Sequence, residues 1–322
     1  MILAAAAAAA LASACAPGPA DKAWIHAATA AWRLQLRRLP ELTPPADVTV
    51  ILFDARCRLE SRQALQRNTA ARWTASRHDG QVLLADGTRI PATVTSFAGE
   101  GKQGGPTFVM ALPSLWAAGK IPGGSLGLDR LTRAVLLHEA SHVAQTALFE
   151  RLSKLPKEEG LPEDFSDDSI QQQFEENVAF SASVEEETRL LFAAAAASDD
   201  KAARALAGQA LAKMKARRAR WFVGEDRRLG KAEDLFLSME GAGQYVGYSW
   251  LIDPKGGALS TAEAMSGFGT RSKWWSQKQG LALILAVERL ELAGWREQVW
   301  KTPHLIGVEL LEAAVARSRN AS

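Results

Sequence analysis

Val135-Leu136-Leu137-His138-Glu139-Ala140-Ser141-His142-Val143-Ala144 is the stretch from which the rest of the chain can be read. Residues four apart lie one above the other on an α-helix, so His138 and His142 present two imidazoles to one ion. Glu139 stands beside the first of them, facing the coordination position that would stay open, where a carboxylate can take a proton from water. Only five histidines and 22 glutamates occur in 322 residues. From that composition the number of accidental H-E-x-x-H matches is roughly 0.005, so the pattern is a signal. The uncharged flanks suit a buried helix. Leu131, Val135, Leu136, Val143, Ala147 and Leu148 supply an apolar face, and neither Pro nor Gly occurs from 128 to 155. The spacing predicts a helix over about 129–152, with Asp129 as its N-cap.

Outward toward the N-terminus the signals are strand and turn. Val48 to Phe53 and Thr107 to Leu112 are apolar runs of strand length, and Asp86-Gly87 is a hairpin dipeptide between 81–85 and 88–97. Before them, 21–39 carries Trp24, Ala28, Ala31, Trp32 and Leu36 at helical spacing and ends at Pro40. Toward the C-terminus the pattern is helical almost throughout, over about 167–197, 200–222, 231–250, 277–293 and 304–318, with a polar connection at 153–166. The expected fold class is therefore α+β. A small N-terminal mixed sheet with an active-site helix precedes a mainly helical C-terminal lobe; the boundaries fall at 21–125 and 126–322, and the two are expected to form a single catalytic domain.

Residues 1–16, MILAAAAAAALASACA, carry no charged side chain and precede Pro17-Gly18-Pro19. This resembles the apolar core of a signal peptide and is short for a membrane span. The expectation is export, periplasmic or secreted. Cys15 within Leu11-Ala12-Ser13-Ala14-Cys15 offers a second reading, a lipoprotein signal, and membrane attachment is expected only if Cys15 is lipidated. If the segment containing Cys15 is removed, Cys57 remains as the sole thiol and no disulfide can form.

Lys plus Arg is 38 against 36 for Asp plus Glu, a net charge of +2, so no global field attracts nucleic acid. The Gly-rich pieces lack the Lys-Ser/Thr ending of a phosphate loop, which argues against a nucleotide. The cluster Lys213, Lys215, Arg217, Arg218 and Arg220 reads as a solvated helix, and Arg271, in the Gly-rich segment before Trp274, is expected to be solvent-exposed, although it could also contact a substrate carboxylate.

With its H-E-x-x-H motif the chain resembles the zincin metallopeptidases. Gln145 and Leu148 stand where a metzincin has glycine and its third histidine, so the resemblance is to the gluzincin type, which takes its third ligand from a carboxylate. Leu237-Ser-Met-Glu-Gly-Ala-Gly-Gln-Tyr-Val246 is similar to the E-G-x-A-x-Y stretch of aminopeptidase-type gluzincins, with Gly243 at the usual alanine. The resemblance implies one Zn²⁺ held by His138, His142 and Glu240, with Glu139 as general base. Glu176 is the alternative third ligand; Glu175, Glu185 to Glu187 and an acid in 163–168 stay open. Tyr245 and Tyr248 are candidate catalytic residues for oxyanion stabilisation, with His304 as a further one. The activity implied is hydrolysis of a peptide or protein substrate, with Thr107 to Leu112 as the strand that would pair with it. The alternative is an exported, non-catalytic zinc-binding protein that retains a zincin fold.

Overall fold

The computed structural model describes residues 15–67, 70–100 and 105–316, so nearly all of the apolar leader expected at 1–16 lies outside the described residues. The protein is α+β, with a small mixed sheet and a helical C-terminal part. In chain order the elements are α1 (Pro19–Arg38), β1 (Thr49–Phe53), β2 (Cys57–Ser61), β3 (Thr74–Arg77), β4 (Gln81–Leu83), β5 (Arg89–Pro91), β6 (Ser96–Glu100) and β7 (Pro106–Ala111). There follow α2 (Pro113–Ala118), α3 (Gly127–His142), α4 (Thr146–Glu159), α5 (Ser169–Phe174), α6 (Val178–Ala196) and α7 (Asp200–Trp221). The last are α8 (Leu229–Ile252), α9 (Thr261–Ala264), α10 (Trp275–Arg289), α11 (Trp295–Trp300) and α12 (Val308–Ala316). Among the described residues no helix is long and apolar enough to cross a membrane.

The main sheet has the order β3-β2-β1-β7-β6, with β1 and β7 parallel and every other pair antiparallel. The unbroken apolar run of β1 follows from its central place, since all five residues are buried. Val50 and Leu52 face the core shared with α1 and α3. Ile51 and Phe53 face the other way, onto Val82, Val109 and Ala111, where the β4–β5 hairpin covers the sheet. β7 is equally central, hydrogen-bonded on both edges. This corrects the expectation that 107–112 pairs with substrate: a strand with both edges occupied has no backbone groups left to offer. The edge strand on that side is β6.

α1 buries Trp24, Ala28, Ala31 and Trp32 against the sheet, and the Trp32 indole N–H donates to the Leu65 carbonyl at 2.8 Å. Pro19 in its first turn fits because the proline lacks only an N–H that the first turn leaves unpaired anyway. Just before it, Cys15 forms a disulfide with Cys57 at the start of β2, with Cα atoms 5.7 Å apart. With Cys15 present, Cys57 is therefore not a lone thiol.

α8 is the axis of the helical part. From Leu235 to Tyr248 every residue is buried, because α3 packs on one side and α10 on the other. Gly241 and Gly280 meet where α8 crosses α10, each lying so close to the other's backbone that a Cβ on either would collide with it. Each fully buried Leu or Val along this axis contributes about 1.5–3 kcal/mol of transfer free energy.

Several expected boundaries move. The metal-motif helix ends at His142 rather than near 152, and a turn at 143–145 separates it from α4. Its N-terminus is at Gly127, and Asp129 sits in the first turn, paired with Arg133 one turn on, instead of capping. The helix expected over 167–197 is broken before Asn177, whose side chain caps α6 by accepting from the Phe180 N–H. The basic cluster on α7 is not uniformly solvated. Arg217 is 1% exposed and bridges Glu187 and Glu233, while Arg218 bridges Glu233 and Asp234. Buried charges persist in this way only when paired and hydrogen-bonded.

Candidate metal centre

α3 and α8 bring together His138, His142 and Glu240, all buried. The two Nε2 atoms are 3.0 Å apart, and the Glu240 carboxylate oxygens approach them at 3.2 Å (His138) and 3.4 Å (His142). One ligand atom from each residue falls within 4.8 Å of the others, so the group could hold a metal ion. The donor set fits: three candidate ligand atoms converge in a buried place where a carboxylate and two imidazoles are taken out of water.

The approach is possible because α8 carries no side chain at the contact. A Cβ on Gly243 would stand 2.9 Å from His138 Nδ1 and from His142 Cε1. Similarly, a Cβ on Gly247 would stand 2.8 Å from the Ala134 carbonyl of α3. The glycine in place of the usual alanine is thus what lets the two ligand-bearing helices close on one another.

Electrostatics within the group favour opposite charges. Burial raises the Glu240 carboxyl, but the nearby His142 and His138 and a hydrogen bond from Gln277 outweigh it and push it down to about 2. Burial disfavours the His138 cation, yet Glu240, with Glu139 and Asp167 farther off, raises that imidazole above its ordinary value.

Second partners hold the ligands. His142 Nδ1 faces Gln145 Oε1 at 2.7 Å, and the Gln145 amide N–H₂ donates to the carbonyls of Val299 at 3.1 Å and Met239 at 3.4 Å. With its nitrogen so engaged, Gln145 presents only its oxygen to the ring, which places the proton on Nδ1 and leaves Nε2 as the lone-pair donor. Glu139 is half-buried and accepts from the Ser96 hydroxyl at 3.0 Å. Ser96 opens β6, so the candidate general base lies at the exposed edge of the sheet.

The other expected residues go elsewhere. Glu176 and Glu175 are exposed, and Glu187 is bound to Arg217. Asp167, from the 163–168 segment, feels the charge of both Glu240 and His138; burial, Glu240 and Asp168 push it up to about 7. It lines a cavity of about 330 Å³ with Phe149, Leu152, Phe165, Phe236 and Met239. Tyr245 is a correction to the oxyanion expectation. Five residues beyond Glu240 it is turned roughly 140° away on the helix, and its hydroxyl donates to Glu288 at 2.5 Å beside Arg296 and Trp295. The Tyr248 hydroxyl is engaged by Thr261, and His304 is exposed.

Ser96, Gln145 and Gln277 were not legible as site residues, whereas Asp167 was covered only by the open choice of an acid in 163–168. Gln145 alone had a signal, its spacing three residues after His142. Comparison with protein-family models, with curated proteins and with solved structures gives no match, so the reading of this site rests on its geometry.

Proposed function

We propose that the protein is an exported zinc-dependent hydrolase that cleaves peptide bonds, with the zincin-like arrangement of helix, edge strand and distant carboxylate ligand. The observation that carries this is the convergence of His138, His142 and Glu240 with Glu139 poised beside them at the sheet edge. Two imidazoles and one carboxylate are the ligand set of a catalytic Zn²⁺ site, which keeps a position open. The ion, when bound, supplies Lewis acidity that makes a water acidic near neutral pH. Glu139 would accept a proton from the attacking water as the water oxygen bonds to the substrate carbonyl carbon. The same carboxylate then delivers the proton to the leaving nitrogen as the C–N bond breaks. The Ser96 hydroxyl orients Glu139 for both transfers. The unpaired edge of β6 is the place for the extended backbone of a peptide, which would add as a further strand. Export is supported by the Cys15–Cys57 disulfide, since disulfides persist in oxidising compartments.

The test is Glu139→Gln. The variant is expected to bind zinc as the wild type does and to lose chelator-sensitive peptide hydrolysis by about 10²–10⁴-fold, the usual worth of a general base. Full activity in the zinc-loaded variant removes Glu139 from the mechanism. Absence of chelator-sensitive cleavage in the wild type turns the protein into a zinc-binding module.

A further inference from the structure

A second cavity, of about 250 Å³, opens between α3, α8 and the segment before α10, lined by Leu131, Val135, Gln244, Phe268, Arg271 and Gln277 among others. That is below the roughly 300–1,000 Å³ of pockets for drug-sized ligands and suits one amino-acid residue. It is joined to the metal group by an ordered chain of amides. Gln277 donates to Glu240, and its Oε1 accepts from Gln244 Nε2 at 3.0 Å and from the Ser272 hydroxyl at 2.8 Å. Val135 and Leu131 lie one and two turns before His138 on α3, so the cavity starts where the metal ligands end.

Two groups in its wall lack partners. Gln244 is 6% exposed, yet its Oε1 is buried without a hydrogen bond. A buried carbonyl oxygen left so costs about 1–3 kcal/mol unless something donates to it. Arg271 is exposed and has no ion pair or hydrogen bond among the described residues. Its guanidinium lies over Gly124, which has φ +57° and where a Cβ would occupy the same space. The π-helical turn Met265–Gly269 just before it sets Phe268 into the wall. The arrangement is therefore apolar walls beside α3 and α8 with an exposed cation, unpaired among the described residues, at the mouth.

We infer that this cavity takes the C-terminal residue of a peptide substrate. Leu131, Val135 and Phe268 enclose its apolar side chain, and Arg271 binds the free α-carboxylate. The inference rests on the hydrolase reading and deepens it: the protein removes C-terminal residues, and a blocked C-terminus is a poor substrate. Arg271 suits this because a guanidinium fork binds a carboxylate with two parallel hydrogen bonds.

The experiment compares an N-acetylated tripeptide ending in leucine as free acid and as amide, with zinc-loaded wild type, Arg271→Gln and Arg271→Lys. Zinc content and melting temperature of each variant are measured alongside. The wild type is expected to prefer the acid by about 10- to 100-fold in kcat/KM, the value of a charge-assisted hydrogen bond pair. Arg271→Gln brings the acid-to-amide ratio near one, and Arg271→Lys restores part of it. A wild type indifferent to the terminus, or an Arg271→Gln protein that keeps the preference, overturns the proposal. If no peptide is cleaved, the hydrolase reading has failed and binding of N-acetyl-leucine by calorimetry decides the anchor separately. Affinity for the acid that drops tenfold or more in Arg271→Gln upholds the carboxylate site, and affinity unchanged by that substitution refutes it.

Discussion

Gln145 shows what a single residue outside the ligand set does here. It is fully buried, and its amide is fixed by two backbone carbonyls from different parts of the chain, Met239 in α8 and Val299 in α11. That leaves its oxygen facing His142 Nδ1, so the imidazole is held in the tautomer and orientation that a ligand needs. Partners of this kind typically account for about 10–100-fold in metal affinity. Gln145→Ala is expected to weaken zinc binding by that factor, read by competition with a chromogenic chelator. Equal affinity in wild type and Gln145→Ala would show that the ring is held by packing alone.

At the scale of elements, the decisive contact is α3 against α8. Helices approach this closely only where side chains are missing, and Gly243 and Gly247 provide that on the face carrying Glu240. Gly243→Ala places a methyl 2.9–3.0 Å from both imidazoles, tighter than a carbon can tolerate, so the rings or the helix must shift. Overpacking of this kind costs about 1–3 kcal/mol. The expected outcome is a lower melting temperature together with a zinc stoichiometry well below one per chain. A variant that loads zinc fully would mean that α8 can slide without disturbing the site. The opposite face of α8 explains Tyr245, whose hydroxyl belongs to a Glu288–Arg296 pair that ties α8 to α10 and α11.

For the whole molecule, the metal group makes stability depend on pH in opposite senses with and without the ion. In the metal-free protein His138 is raised above 6.5 in the folded state, so its contribution is complete below 6.5 and lost as pH climbs through the folded value. Glu240 is lowered from 4.5 to about 2, so its contribution is complete above 4.5 and lost as pH falls toward 2. Both act together between pH 4.5 and 6.5. A bound zinc ion would require the imidazoles neutral, so the stabilisation it would bring grows as pH rises past that window. The melting-temperature gap between zinc-loaded and chelated protein is therefore expected to widen from pH 6 to pH 8. A gap constant over that range would show that protons and metal do not compete for His138. Across the molecule, the Cys15–Cys57 bond ties the start of α1 to the sheet, and α1 in turn packs on α3.

Some of this was written in local sequence. Residues 138–142 fix two imidazoles on one helical face, because four residues make slightly more than a turn. The small residues after Glu240 announced a close helix crossing, and the alternation of apolar runs and turns gave the α+β class. Helix ends were less legible, as at His142, where no Pro or Gly marks the stop and the turn is set by Gln145 reaching carbonyls 94 and 154 residues away. Tertiary structure alone brought Glu240, already favoured over Glu176 by the sequence, beside the two imidazoles, turned Tyr245 away, buried Arg217 among acids, and placed β7 inside the sheet with β6 at its edge. Each of these depends on which distant side chain or backbone group arrives opposite, and spacing along one chain carries that information only within a single helix or strand.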